Sequence, residues 1–303
     1  MNIEDYYLIG IGEFSHGIQE SWEFRFNLLK QMIKTTTKKI TIFSETSIWQ
    51  GNNIMNKKYY NREKNQYVKS LKIKIEKPHY NDKNQPAWGK LWQYISHSME
   101  SKLFMKILQY IRKHSDRISY IGVDNDILAR DFEMFKIISE NLNVSHINFF
   151  WAHNSHVDDR ELSWDNYKWT KKTYSNLKYY CGHYLKEKYG NKYCIILSQA
   201  YSGINRFNSI CEGDGCAKRT WFLKYFYKPF VYAPNKKYIN ENKQFQFFNE
   251  FKTPLIEFSN SFYKKNKFGY SNIVYSHNFD FLIFWNKVNE LEPYFNYTVV
   301  LQS

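Results

Sequence analysis

Apolar strand-like runs that end on ionisable residues, with amphipathic helices between them, predict an α/β fold: a mainly parallel sheet flanked by helices. Three observations carry this. Ile9–Gly17 reads IGIGEFSHG, an apolar run broken by glycines that delivers Glu13 and His16 together. Lys39–Glu45 (KITIFSE), Ile118–Asp124 (ISYIGVD) and Ile147–His156 (INFFWAHNSH) follow the same plan. Helical periodicity fills the intervals, as in Glu20–Lys34 with Trp22, Phe26, Leu29, Met32 and Ile33.

In order, the expected elements are a strand at Leu8–Gly12, a helix at Glu20–Lys34 and a strand at Ile40–Ser44. Gln50–Gln85 is polar and aperiodic, and residues 50–90 are read as a lid segment near the site. Lys90–Lys113 reads as a helix through Leu91, Ile95, Leu103, Ile107, Tyr110 and Ile111. Ile118–Val123 is a strand, Ile127–Asn141 a helix and Ile147–Trp151 a strand. Val157–Thr173 reads as a polar loop. Tyr174–Tyr189 reads as a helix stopped by Gly190, followed by a strand at Tyr193–Ala200. Beyond Gly203 the pattern weakens. Phe230–Ala233 and Phe279–Trp285 read as strands, Glu241–Phe251 is ambiguous, and EGDG between Cys211 and Cys216 reads as a hairpin turn. There is no internal repeat and no linker, so residues 1–303 are expected to form one catalytic domain.

The 303 residues suffice for a substantial core, and 43% hydrophobic with 19% aromatic content excludes a disordered class. No apolar run approaches the length that spans a bilayer. The N-terminus, MNIEDYYLIGIGE, lacks a basic leader and predicts no cleaved signal. With Cys181, Cys194, Cys211 and Cys216 read as reduced thiols, the expected location is cytoplasmic. The formal charge of +14 invites a nucleic-acid reading. It is mostly lysine in a chain also rich in Asn, Ile, Tyr and Phe, residues of AT-rich codons. No nucleic-acid recognition motif accompanies it, so no specific nucleic-acid partner and no membrane partner are expected.

In a parallel sheet the C-terminal strand ends share one edge, so Glu13, His16, Glu45, Asp124, His153 and His156 are predicted to converge. A neutral imidazole is a competent general base at neutral pH, and a carboxylate on its other nitrogen fixes its tautomer. Glu13 or Glu45 fits that role for His16. Arg25 or His153 would meet the charge that develops on an ester oxygen. These residue types suffice for ester hydrolysis by activated water.

The chain resembles the erythromycin esterase-like family of hydrolases. The resemblance rests on GEFSHG with Glu20 and Arg25, SET around Glu45, WAHNSH at Trp151–His156, CGHYLKEKYGNKYCIILSQAYSG at Cys181–Gly203 and YSHNFDFLIFWNKV at Tyr275–Val288. It implies an active site lined by His16, Glu13, Glu45, Arg25 and His153, with His16 activating water for attack on an ester carbonyl. His156, Trp151, Asn154 and Asp124 are the accompanying substrate-binding candidates. The resemblance also implies a small-molecule ester or lactone substrate, a link to antibiotic response and no cofactor or metal. The interval from Glu45 to Trp151 is shorter than in macrolide-cleaving members, which predicts a reduced helical lid and smaller substrates.

Other readings of the same residues stand beside these. Arg25 also reads as a surface partner of Glu20 or Glu23, Asp124 as the cap of the helix near Ile127, His156 as a loop residue and Trp151 as core. His183 and His277 read as structural. The N/O set around His16 also suits a metal-dependent hydrolase, and a non-catalytic member binding a polar or anionic ligand is the remaining alternative. A serine nucleophile is not supported, because Ser15 has no G-x-S-x-G elbow, and the phosphate-loop pattern is absent.

Overall fold

The computed structural model describes residues 2–15, 17–47, 101–124, 130–161, 179–212, 220–253, 255–257, 272–274, 278–291 and 299–302. His16 and the expected lid at 50–90 lie outside them.

The chain begins with β1 (Leu8–Glu13), α1 (Gln19–Thr35) and β2 (Ile40–Ser47). α2 (Lys102–Lys113), β3 (Ile118–Asp124), α3 (Arg130–Asn141) and β4 (Ile147–His153) follow. Then come α4 (Asn154–Val157), α5 (Cys181–Tyr189), β5 (Tyr193–Glu212) and β6 (Thr220–Val231). The last strands are β7 (Phe245–Phe248), β8 (Leu255–Glu257), β9 (Asn272–Val274), β10 (Phe281–Val288) and β11 (Val299–Gln302).

The strands at the centre run parallel, in the order β10-β5-β1-β4-β2-β3. The sheet is mixed at its margins. β6 pairs antiparallel with the second half of β5, β11 with β6, and β7 with β10. The fold is therefore α/β, a mostly parallel sheet flanked, among the described residues, by a small set of helices.

Period-two alternation sorts the side chains into two layers. Ile9, Ile11, Ile42, Phe149 and Trp151 pack with Trp22 and Leu29 of α1 and with Phe104, Ile107 and Ile111 of α2. Leu8, Phe43, Phe150 and Ile195 pack on the opposite face with Met134 and Ile138 of α3 and Leu185 of α5. β1 and β4 are buried throughout, as expected of strands covered on both faces.

The boundaries differ from the sequence reading in instructive places. Ser101 has an extended backbone, and its hydroxyl accepts the Phe104 N–H at 3.0 Å, so α2 begins after it; the part of the expected Lys90–Lys113 helix before Ser101 lies outside the described residues. α5 starts at Cys181, because Tyr180 is extended and Tyr179 bridges Glu161; the expected helical residues 174–178 lie outside the described residues. Gly190 ends α5 with a φ of 54°, a conformation that favours glycine. β4 runs two residues beyond Trp151 and passes directly into α4, where Val157 is fully buried instead of opening a loop. β5 continues well past Ala200 as one arm of the β5–β6 hairpin, with Glu212 opposite Trp221. Of the turn expected at EGDG, residues 212–215, Glu212 ends β5 and residues 213–215 lie outside the described residues.

Gly182 fits where nothing larger does. A Cβ there would lie 2.1 Å from the Val157 carbonyl oxygen and 2.5 Å from that of Asp158. Both obstacles are backbone, so Gly182→Ala must push α5 off α4 and is expected to cost about 1–3 kcal/mol. Urea denaturation of the purified variant measures this, and an unchanged midpoint would show that α5 docks less tightly than these distances require.

Candidate active site

Glu13 and His153 are paired neighbours at the ends of β1 and β4, so their side chains leave the sheet on the same face. That face is covered by α1. Trp22, Arg25 and Leu29 lie on one buried stripe of α1, three and four residues apart. Arg25 therefore points inward, not towards Glu20 or Glu23 at the surface. Its Nη1 lies 3.5 Å from a Glu13 carboxylate oxygen, with the two side chains 1% and 3% exposed. Its Nη2 donates to the carbonyls of Ile11 and Ala152 at 2.7 and 2.9 Å. The guanidinium also sits over the Trp22 ring at 4.8 Å. Burial pulls the Arg25 pKa down, and Glu13, Glu45 and Tyr120 oppose that pull. Glu20 turns elsewhere, accepting the backbone and side-chain N–H groups of Asn289 at 2.8 and 2.7 Å.

Glu45 leaves on the other face. The β2–β3 register shifts between Ser44 and Ser47, where β2 carries one extra residue. There the Glu45 carboxylate meets α3. One oxygen accepts from Arg130 Nη2 at 2.6 Å and lies 3.3 Å from His156 Nε2. The other accepts the His153 backbone N–H at 2.7 Å. Arg130 also grips both oxygens of Asp124, through Nε at 2.9 Å and Nη2 at 2.7 Å. Asp124 is thus one arm of an ion network. The helix start at Ile127 that it was expected to cap falls outside the described residues.

His156 completes the network. It is a buried residue of α4, not a loop residue, and its Nδ1 lies 2.7 Å from Asp131 Oδ1. The same oxygen accepts the Cys181 N–H at 2.9 Å, which ties α5 to the site. Burial disfavours a charge on His156 and Arg130 repels it, but the carboxylates of Asp131 and Glu45 prevail and push it up to about 10. Arg130 Nη1 lies 3.2 Å from His156 Nε2, a geometry that also suits a neutral ring accepting from Arg130. With Asp124, Glu45 and Asp131 around a single guanidinium, charge balance favours the imidazolium. Arg130 is likewise pushed up, by Asp124 and Glu45 against the opposing effect of burial.

His153 is held at its other ring nitrogen. Its Nδ1 accepts the Ser155 N–H at 3.3 Å and lies 2.9 Å from the Ser155 hydroxyl. A backbone N–H can only donate, so the neutral ring carries its proton on Nε2.

The remaining candidates are packed into the core beside these clusters. Trp151 is 1% exposed and meets Trp22 edge-on at 6.1 Å. Among the described residues, its Nε1, that of Trp22 and the Arg25 Nε find no acceptor. Asn154 exchanges both amide bonds with Ser198 of β5, at 2.9 and 3.1 Å. Gly12 makes room for it, since a Cβ there would lie 2.4 Å from Asn154 Oδ1.

Glu13, Arg25, Glu45, His153, His156 and Asp124 thus occupy one edge of the sheet, in two ion clusters joined at His153. Arg130 and Asp131 were not singled out from the sequence. The signal was available, since an Arg-Asp pair opens the helix that follows a strand ending on Asp124. His183, read as structural, pairs with Asp159 at 2.6 Å and stacks on Tyr179. A depression of about 460 Å³ lined by Lys186, Phe251, Lys252 and Asp280 lies at the start of β5 and β10, the opposite edge of the sheet. Among the described residues no group of three or more His, Cys, Asp or Glu side chains is arranged to hold a metal ion. Among them, too, no helix is long and apolar enough to cross a membrane.

Residues 31–213 match the family model of erythromycin esterase. The chain belongs to the erythromycin esterase family. No curated protein matches it. Solved structures share its fold at low identity. One is a succinoglycan biosynthesis protein with a TM-score of 0.58 and 13% identity, covering 96% of this chain and 90% of that one. Another is a protein from Bacillus cereus with a TM-score of 0.53 and 14% identity, covering 94% and 90%. A third is a histidine-to-asparagine mutant of erythromycin esterase EreC in its open conformation, with a TM-score of 0.54 and 10% identity, covering 97% and 93%.

Two stability measurements probe the clusters. Arg25→Met removes the guanidinium beside the buried Glu13 carboxylate and is expected to cost about 3–5 kcal/mol by chemical denaturation; a loss near zero would mean that the pair contributes nothing. The His156 contribution should depend on pH. Because its folded pKa is raised from 6.5 to about 10, its stabilisation is complete below pH 6.5 and is lost as pH rises through about 10. The stability gap between wild type and His156→Gln should therefore shrink from acid to alkaline pH, and a gap that widens would reverse the assignment.

Proposed function

We propose that the chain is a hydrolase that cleaves a carboxylic ester or lactone with water activated by His16. The observation that carries this reading is the meeting of the Glu13–Arg25 and Glu45–Arg130–His156 clusters at His153, on the sheet edge where β1 ends on Glu13. Membership of the erythromycin esterase family supports hydrolase chemistry. The sequence puts His16 three residues beyond Glu13 at the close of β1.

In this reading His16 takes a proton from water as the water attacks the carbonyl carbon. Glu13 is the carboxylate partner nearest in sequence. Negative charge then builds on the carbonyl oxygen. Arg25 supplies fixed positive charge beside Glu13, and His153 supplies an Nε2–H donor. Trp151 and Asn154 wall the site, while His156 and Asp124 belong to the ion network behind Glu45. The partner is a small-molecule ester, the setting the cytoplasm, and the whole chain a single catalytic domain. The short interval between Glu45 and Trp151 favours esters smaller than a macrolactone.

A second reading is a family member repurposed to bind a polar ligand. The likeness to a succinoglycan biosynthesis protein favours it, and a saccharide is then the ligand to test.

A hydrolysis screen of the purified protein against aryl esters, acyl esters and macrolides separates these readings. His16→Ala is expected to lower kcat/KM on the order of a hundredfold or more, the usual scale for losing a general base. Ser15→Ala should leave the rate within a few-fold, and chelators should leave it unchanged. A trapped acyl-Ser15, or activity lost on chelation and restored by a divalent ion, would overturn the water-and-histidine mechanism.

A further inference from the structure

Between them, the two ring nitrogens of His156 face carboxylates from two elements. Nδ1 faces Asp131 of α3 at 2.7 Å, and Nε2 faces Glu45 of β2 at 3.3 Å. Only a doubly protonated imidazole can donate to both. Among the described residues, the other groups against the ring are Arg130, with Nη1 at 3.2 Å, and Tyr180, edge-on with ring centroids 6.0 Å apart. The Cys181 N–H reaches the same Asp131 oxygen from α5, and Asp124 of β3 acts through Arg130.

The chain of contacts has a direction. Asp131 is anchored by a backbone N–H, so its carboxylate is fixed by the fold. It orients His156. His156 and Arg130 then meet one Glu45 oxygen, which leaves the other aimed at the His153 N–H at 2.7 Å. His153 in turn pairs in register with Glu13, so displacement of Glu45 would be felt in the opposite cluster.

We propose that Asp131 is a positioning residue of the active site: it holds His156 with both ring nitrogens donating, so that His156 and Arg130 together pin Glu45 against the His153 backbone. His156 is then a fixed cation that sets the place of Glu45, not a second base and not a direct ligand of the substrate. The inference deepens the ester-hydrolase reading and rests on it for its kinetic consequence. The charge state of His156 does not depend on any activity.

The kinetic consequence concerns the alkaline side. When His156 loses its proton, Glu45 loses a donor and the site loosens. The alkaline limb of kcat/KM should therefore follow His156. Asp131→Asn keeps the shape and an acceptor for the Cys181 N–H but removes the charge that holds the imidazolium.

The experiment has two arms. In the first, the imidazole resonances of His156, assigned by their loss in His156→Gln, are followed by NMR across pH in wild type and Asp131→Asn. The expected result is a wild-type ring still protonated at pH 9 and a midpoint at least one pH unit lower in the variant. A wild-type midpoint near the ordinary imidazole value of about 6.5 would overturn the proposal. In the second, kcat/KM of wild type, Asp131→Asn and Asp131→Glu is profiled against pH with the best ester from the screen. The alkaline limb should move down by a unit or more in Asp131→Asn and return in Asp131→Glu. A uniform loss at every pH, or an unmoved limb, would mark Asp131 as merely structural. If Asp131→Asn does not fold, the wild-type titration and Asp131→Glu still decide. If no ester is turned over, the hydrolase reading fails while the NMR arm continues to judge Asp131.

Discussion

Glu45 is the pivot of this molecule. Its carboxylate meets a guanidinium and the His156 imidazole on one oxygen and a backbone N–H on the other, from α3, α4 and β4. Burying such a group without partners would cost several kcal/mol. With these partners the burial is tolerated and the geometry is specified, because each donor comes from a different element. Any shift of α3 or α4 relative to β2 breaks at least one of the contacts. The ends of β2, β3 and β4 are thereby held in one arrangement, and the site inherits that rigidity.

The sheet supplies what the ion network needs. A parallel sheet covered on both faces gathers its strand ends at one edge, and alternation sends successive side chains to opposite faces. Glu13 goes to the α1 face and Glu45 to the α3 face. Two ion clusters of the same kind, each a carboxylate on an arginine from a covering helix, thus flank the sheet edge without competing. His153 joins them because its Cα is in register with Glu13 and its backbone N–H serves Glu45.

The fold and much of the candidate site were legible in the sequence for a local reason. Strand runs such as ITIFS and INFFW, and the apolar stripe of α1, follow from side-chain periodicity alone. The same periodicity puts Glu13, Glu45 and His153 at strand ends. Arg25 was readable in part, since its spacing from Trp22 and Leu29 places it on the buried stripe. Arg130 and Asp131 carried only the weak local signal of opening a helix after Asp124, because their significance comes from Glu45, Asp124, His156 and Cys181, up to 85 residues away. The long β5–β6 hairpin was missed beyond Gly203 for a similar reason. Its polar residues break the apolar signal, and only cross-strand pairing defines it as strand.

The sequence by itself determined the layered α/β class, the order of its main elements, the ionisable residues at the strand ends and the family. Each of these depends on neighbours a few residues apart. The tertiary structure decided which acid meets which base. Arg25 chose Glu13 over Glu20 and Glu23, Asp124 chose Arg130, and Asn154 turned to Ser198. It also gave His156 its charge, because an imidazole between two carboxylates in a buried site is held protonated by groups that no local pattern brings together. Pairing is a matter of distance and dielectric in three dimensions, and those are properties of the folded chain alone.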